Sequence, residues 1–168
     1  VVLFRSNLLA RYASSLAASQ TSTWGQTPER PLVQFVPDDF IHKTRRYLQF
    51  FRRAIASLQE HRQNYFLLRS DELMFKPKLR QLFAFLGVAG VLPQWDQGNP
   101  WTRGSSDIVS RFRNPEEVRG FLQAHGLRHF AWESDFTLDP PTSFSADNAS
   151  DGVADALGLY RAGDVHPS

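Results

Sequence analysis

VVLFRSNLLARYASSLAAS, residues 1–19, decides the reading of the chain. Val1–Phe4 is a short run of β-branched and large apolar residues, the composition of a buried strand. Leu8, Leu9, Tyr12, Ala13, Leu16 and Ala17 then recur at helical spacing, with Ser6 or Asn7 as the natural N-cap. A strand that feeds straight into a helix is the first half of an α/β unit. Arg5 stands at the carboxyl end of that strand, where open parallel sheets bind ligands. The new helix points free N–H groups and a positive dipole end at the same place. Ser14 lies nine residues after Arg5, within the first turns of the helix. The pair reads as an anion site. The plainer alternative is a surface arginine and a small residue in a helix contact.

Working outward, residues 19–37 hold Gly25, Pro28, Pro31 and Pro37 among polar residues, an irregular connection. Asp38 or Asp39 is expected to cap a long helix ending near Arg62. Phe40, Ile41, Tyr47, Leu48, Phe51, Ile55 and Leu58 form its apolar stripe, with most of its basic residues off that stripe. NYFLLRS, residues 64–70, reads as a second buried strand. KPKLRQLFAFLG is a helix with Pro77 near its start and Gly87 as its stop. Residues 89–106 read as loop. NPEEVRGFLQAHG is a final helix, capped by Asn114, with Pro115 in the first turn and Gly126 as its end. From Ser134 onward Ser, Asp, Pro, Gly and Ala dominate without periodicity, so 134–168 reads as a disordered or loosely attached tail. The ordered part, 1–133, holds two strands, too few for a sheet of ordinary size. The expectation is therefore the downstream part of an α/β domain with a parallel sheet.

Composition narrows the classes. The chain has 168 residues, 42% hydrophobic and 13% aromatic, and no cysteine. That excludes a wholly disordered or fibrous protein, a disulfide scaffold and a cysteine nucleophile. No stretch approaches the ~18 apolar residues of a membrane span. Nineteen basic residues face seventeen acidic ones, and almost all the basic ones are arginine. Arginine suits planar, bidentate contact with phosphate, sulfate or carboxylate. No two histidines have metal-ligand spacing on a plausible common site, and without cysteine a metal centre is not expected. Nucleic-acid binding by the basic stretch 40–62 is a further reading, but its aromatics fall on the buried stripe, which argues against stacking on bases.

The segment VVLFRSNLLARYASSLAASQTSTW resembles the 3′-phosphate-binding segment of sulfotransferases that use 3′-phosphoadenosine 5′-phosphosulfate (PAPS), closest to the bacterial nodulation-type and carbohydrate branch. The matching positions are Arg5, Asn7, Leu8, Leu9, Ser14, Thr21 or Thr23, and Trp24. LLRSDEL is similar to the family's hydrophobic–Tyr–Glu–Asp–Leu element, with Ser70 in place of the tyrosine. Phe85–Val88 and IVSRFRNPEEVRGFL resemble two later family elements in the same order.

The resemblance implies a P-loop-like three-layer sandwich, of which the phosphosulfate-binding N-terminal half is absent here. It implies PAPS as the cofactor, a hydroxyl acceptor such as a glycan, and Arg5 and Ser14 on the 3′-phosphate. Arg103, in WTRGSS, is the nearest counterpart of a late loop that also contacts that phosphate. The cytosolic branch of the family spaces its Arg and Ser one residue closer, which leaves Ser6 and Ser15 as alternatives. No glycine-rich loop with a cation and no general base is present, so the chain alone is expected to be inactive. Asp71 and Glu72 are better read as caps of the next helix than as an acid–base pair. The alternative function is a non-catalytic nucleotide- or partner-binding module on the same scaffold.

Overall fold

The computed structural model describes residues 1–21, 31–88 and 107–133. Strand β1 (Val2–Phe4) pairs in parallel with β2 (Leu67–Arg69), with Val2 opposite Leu67, Leu3 opposite Leu68 and Phe4 opposite Arg69. Parallel neighbours need a long crossover. Helices α1 (Leu8–Thr21) and α2 (Pro37–Glu60) lie in it. Helices α3 (Lys76–Phe85) and α4 (Pro115–Ala124) follow. Among the described residues the chain is thus mixed α/β, with a two-stranded parallel sheet and four helices.

The predicted strand 64–70 is shorter than expected, for a local reason. The Arg69 N–H donates to the Glu72 carboxylate at 2.8 Å, and residues 70–74 wind into a 3₁₀ turn. That bond turns the backbone out of the ladder. It also makes Glu72 a cap, as expected; the side chain of Asp71 lies outside the described residues. One face of β1 is covered by α2, with Phe4 packed on Tyr47 at 5.6 Å and on Phe51 at 5.4 Å between ring centroids. On the other face Leu68 is buried while its partner Leu3 stays 51% exposed.

The core lies around α1. Leu8, Leu9, Ala10, Tyr12 and Ala13 are buried against Val33, Phe35, Phe40 and Leu48 on one side. Ile108, Val109, Phe112, Val118, Leu122, Leu127 and Phe130 complete the cluster. The segment after residue 106 is laced to the earlier chain by backbone bonds. Val33 N–H donates to Arg111 O at 3.1 Å, and Arg113 N–H donates to Val33 O at 2.9 Å.

Two expected caps differ in the structure. Helix α2 begins one residue before Asp38, at Pro37, whose fixed φ suits the first helical position. Asp38 and Asp39 lie in the first turn, where the helix dipole favours negative charge. Asn114 occupies the N-cap position of α4 but makes no side-chain cap bond. Its amide instead accepts from Phe35 N–H and donates to Phe35 O, both at 2.9 Å, as a missing strand neighbour would. The stops at Gly87 and Gly126 hold, both at positive φ. The expected loop 89–106 and tail 134–168 lie outside the described residues, as does Trp24.

Candidate functional site

The β1–α1 junction is built from the backbone outward. Asn7 Oδ1 accepts the Ala10 N–H at 2.9 Å, capping α1. Its amide nitrogen donates to Phe130 O at 3.3 Å and Trp132 O at 3.0 Å. One side chain therefore starts the helix and ties residues 130–132 across it. Arg5 is fixed by Tyr47 of α2: the Arg5 N–H donates to the phenol oxygen at 2.8 Å, and the hydroxyl faces Arg5 O at 3.4 Å. Burial pushes the Tyr47 phenol up despite the nearby arginines, so it keeps its proton. The Arg11 guanidinium lies 3.8 Å from the Tyr47 ring centre, a cation–π contact.

With its backbone held, Arg5 extends its fork into a three-partner cluster. Nη1 donates to Ser14 Oγ at 3.3 Å. Nη2 donates to Glu133 Oε1 at 2.5 Å, and Arg111 Nη2 donates to Glu133 Oε2 at 2.9 Å. One carboxylate thus sits between two guanidiniums, each taking one oxygen. The three side chains are largely enclosed: Arg111 is 13% exposed, Glu133 27% and Arg5 32%. Burial alone would raise the Glu133 carboxyl. The Arg111 charge and the bonds from Arg5 and Arg111 outweigh it and hold the group below the usual carboxylate range.

Arg5 and Ser14, named from the sequence, are therefore brought together. Of the two serine alternatives, Ser15 donates to Tyr12 O of its own helix at 2.9 Å, away from Arg5. Arg103 lies outside the described residues. Arg111, Glu133 and Tyr47 were not singled out for this site. Arg111 had a faint signal, a charge set between Val109 and Phe112 in an apolar run. Glu133 had none, being a single carboxylate after Trp132. Tyr47 was hidden in the apolar stripe of α2.

The arrangement holds one oxyanion of the chain itself, the Glu133 carboxylate, on donors of two arginines. A phosphate offers the same acceptor oxygens as a carboxylate and one more charge, so the residues present fit such a group. Among the described residues no group of three His, Cys, Asp or Glu side chains could hold a metal ion. No helix among them is long and apolar enough to cross a membrane. No protein-family model matches the chain, and no curated protein and no solved structure matches it.

Proposed function

We propose that this chain carries the 3′-phosphate half-site of a PAPS-dependent sulfotransferase, on an α/β scaffold of the P-loop-like three-layer kind. The observation that carries the reading is the 3.3 Å contact between Arg5 Nη1 and Ser14 Oγ at the strand-to-helix junction, with an oxyanion already held on the same guanidinium. Arg5 would give the phosphate a charged two-pronged donor, and Ser14 a hydroxyl. Asn7 and Tyr47 hold these donors before the ligand arrives, so little ordering remains to be done on binding. PAPS supplies an activated sulfuryl group for a hydroxyl acceptor, a glycan by the branch resembled. The part played here is to grip the nucleotide at its 3′ end, remote from the transferred group. Binding energy from such a remote site positions the reacting end. Arg103 is the further donor that the resemblance offers.

The test is a calorimetric titration of the 168-residue chain with adenosine 3′,5′-bisphosphate and, in parallel, adenosine 5′-monophosphate. The bisphosphate is expected to bind the more tightly. Arg5→Ala should cost about 1.5–3 kcal/mol for the bisphosphate, the value of a charge-assisted bond, and little for the monophosphate. Equal affinity for the two nucleotides, or indifference to Arg5→Ala in a folded protein, would sink the reading.

A further inference from the structure

The outer face of α2 presents a band of arginines with one bare aromatic ring in it. From Phe40 to Gln59 the helix has no acidic residue; Asp38 lies in its first turn and Glu60 closes it. Between them Arg45, Arg46, Arg52 and Arg53 are exposed. Arg45, Arg46 and Arg53 take part in no hydrogen bond or ion pair among the described residues. Phe50 sits among them, 64% exposed. It follows Arg46 by four residues and precedes Arg53 by three, so the three side chains are neighbours on one face. Its ring touches that of Phe51 edge-on, at 5.3 Å between centroids, and takes no part in the buried core. The sequence ground against base stacking was that the aromatics of this stretch fall on the buried stripe. That holds for Tyr47 and Phe51, which pack on Phe4, and fails for Phe50. A basic face kept only for solubility has no use for a bare phenyl ring at its middle.

We propose that this face of α2 binds single-stranded nucleic acid. Phe50 stacks on a base, while Arg46 and Arg53, about 10 Å apart along the helix, take the flanking phosphates and Arg45 strengthens the field. The charges are complementary, since the guanidiniums of Arg46 and Arg53 have no carboxylate and each nucleotide brings one phosphate. A π-face beside guanidinium forks suits the flat rings of bases, and an acidic peptide offers none. A duplex keeps its base faces stacked inside, out of reach of a ring fixed on a helix surface. Insertion into an anionic bilayer needs an exposed apolar face. The apolar residues of α2 face inward, with Phe40 and Leu48 buried and Tyr47 and Phe51 on Phe4. One phenyl ring is left for the lipid. Because every base has a π-face, little sequence preference is expected. None of Arg45, Arg46, Phe50 and Arg53 belongs to the β1–α1 junction, so this surface is independent of the nucleotide half-site.

The experiment follows the fluorescence anisotropy of a labelled oligothymidylate, about twelve nucleotides long, titrated with the 168-residue chain. Unlabelled single strand, a duplex of the same length, phosphatidylserine vesicles and polyglutamate serve as competitors at equal charge. The single strand is expected to bind and to be displaced best by its unlabelled form. Phe50→Ala and Phe50→Leu should each weaken binding by about fivefold or more, because stacking needs the aromatic ring. Phe50→Trp should hold or improve it. Arg46→Gln combined with Arg53→Gln should lower the slope of log affinity against log salt by about 1.4, the share of two phosphates on a single strand. These side chains are exposed, so each variant should keep the wild-type urea midpoint. If Phe50→Ala does not fold, Phe50→Leu and the arginine pair decide. No binding of the oligonucleotide by folded wild type overturns the proposal. Affinity unchanged by loss of the ring overturns it too, as does displacement by duplex, vesicles or polyglutamate that matches the single strand. A salt slope untouched by the double variant overturns the part given to the arginines.

Discussion

Tyr47 shows how one hydroxyl positions a site from a distance. It receives the Arg5 N–H at 2.8 Å while its ring packs on Phe4 and under Arg11. Tyr47→Phe keeps the ring and removes the oxygen, leaving a part-buried N–H without that acceptor. It should cost about 0.5–1.5 kcal/mol of stability in urea unfolding, and bisphosphate affinity should fall as Arg5 loosens. At Glu133 the sign of the pH effect follows from its partners. Its folded pKa lies below the unfolded value of about 4.3. The stability it adds is present above that value and lost as pH falls through the folded one. In urea unfolding, wild type should exceed Glu133→Gln by about 1 kcal/mol at pH 6, a part-exposed pair being worth no more. The difference should shrink as pH falls below the ordinary carboxylate range and vanish once Glu133 is protonated in the folded protein.

At the scale of elements, two helix ends are built on glycine and one, near Arg62 as expected, is not. Helix α4 stops at Gly126, φ +67°, where Gly126 N–H bonds Gln123 O and Leu127 N–H bonds Leu122 O. Helix α2 ends in the same motif, with Arg62 N–H on Gln59 O and Gln63 N–H on Leu58 O, yet its left-handed residue is Arg62 at φ 51°. The same geometry built with a side chain carries the steric cost that glycine avoids. Arg62→Gly should therefore stabilise the protein by about 1 kcal/mol in thermal or urea unfolding. A loss of stability would show that the Arg62 side chain contributes more than its backbone strain costs. The basic face of α2 was read correctly as lying off the apolar stripe. Phe50 also lies off it, and it is 64% exposed.

Across the whole molecule, a knot of rings joins segments that are far apart in sequence. Tyr12 of α1 packs on Phe35, Phe40 and Phe112, and Phe35 and Phe40 both meet Phe121 of α4. Phe35 is 1% exposed and sits at the centre. Phe35→Ala should cost about 3–5 kcal/mol, a large share of the ~5–15 kcal/mol of a typical domain. A well-folded Phe35→Ala protein with unchanged midpoint would show that the rings are not the common core. Beside this knot, Tyr12 O–H donates to Asp39 at 2.9 Å, and Lys43 donates to the same oxygen. That network fixes α1 to the first turn of α2.

The sequence by itself determined what depends on near neighbours. A strand runs into a capped helix, apolar stripes mark the helices, glycines end two of them, and Arg5 and Ser14 fall within a few turns of each other. Residue type and a period of 3.6 or 2 carry that information over some ten residues. The tertiary structure alone decided what stands opposite them. Glu133 reaches Arg5 across 128 positions, and Arg111 lies 22 before Glu133. Asn114 pairs with Phe35 across 79. Such meetings follow from how α1 is wrapped by the segments on either side of the core. No local pattern encodes that packing, because any charged residue on a late turn would have looked the same.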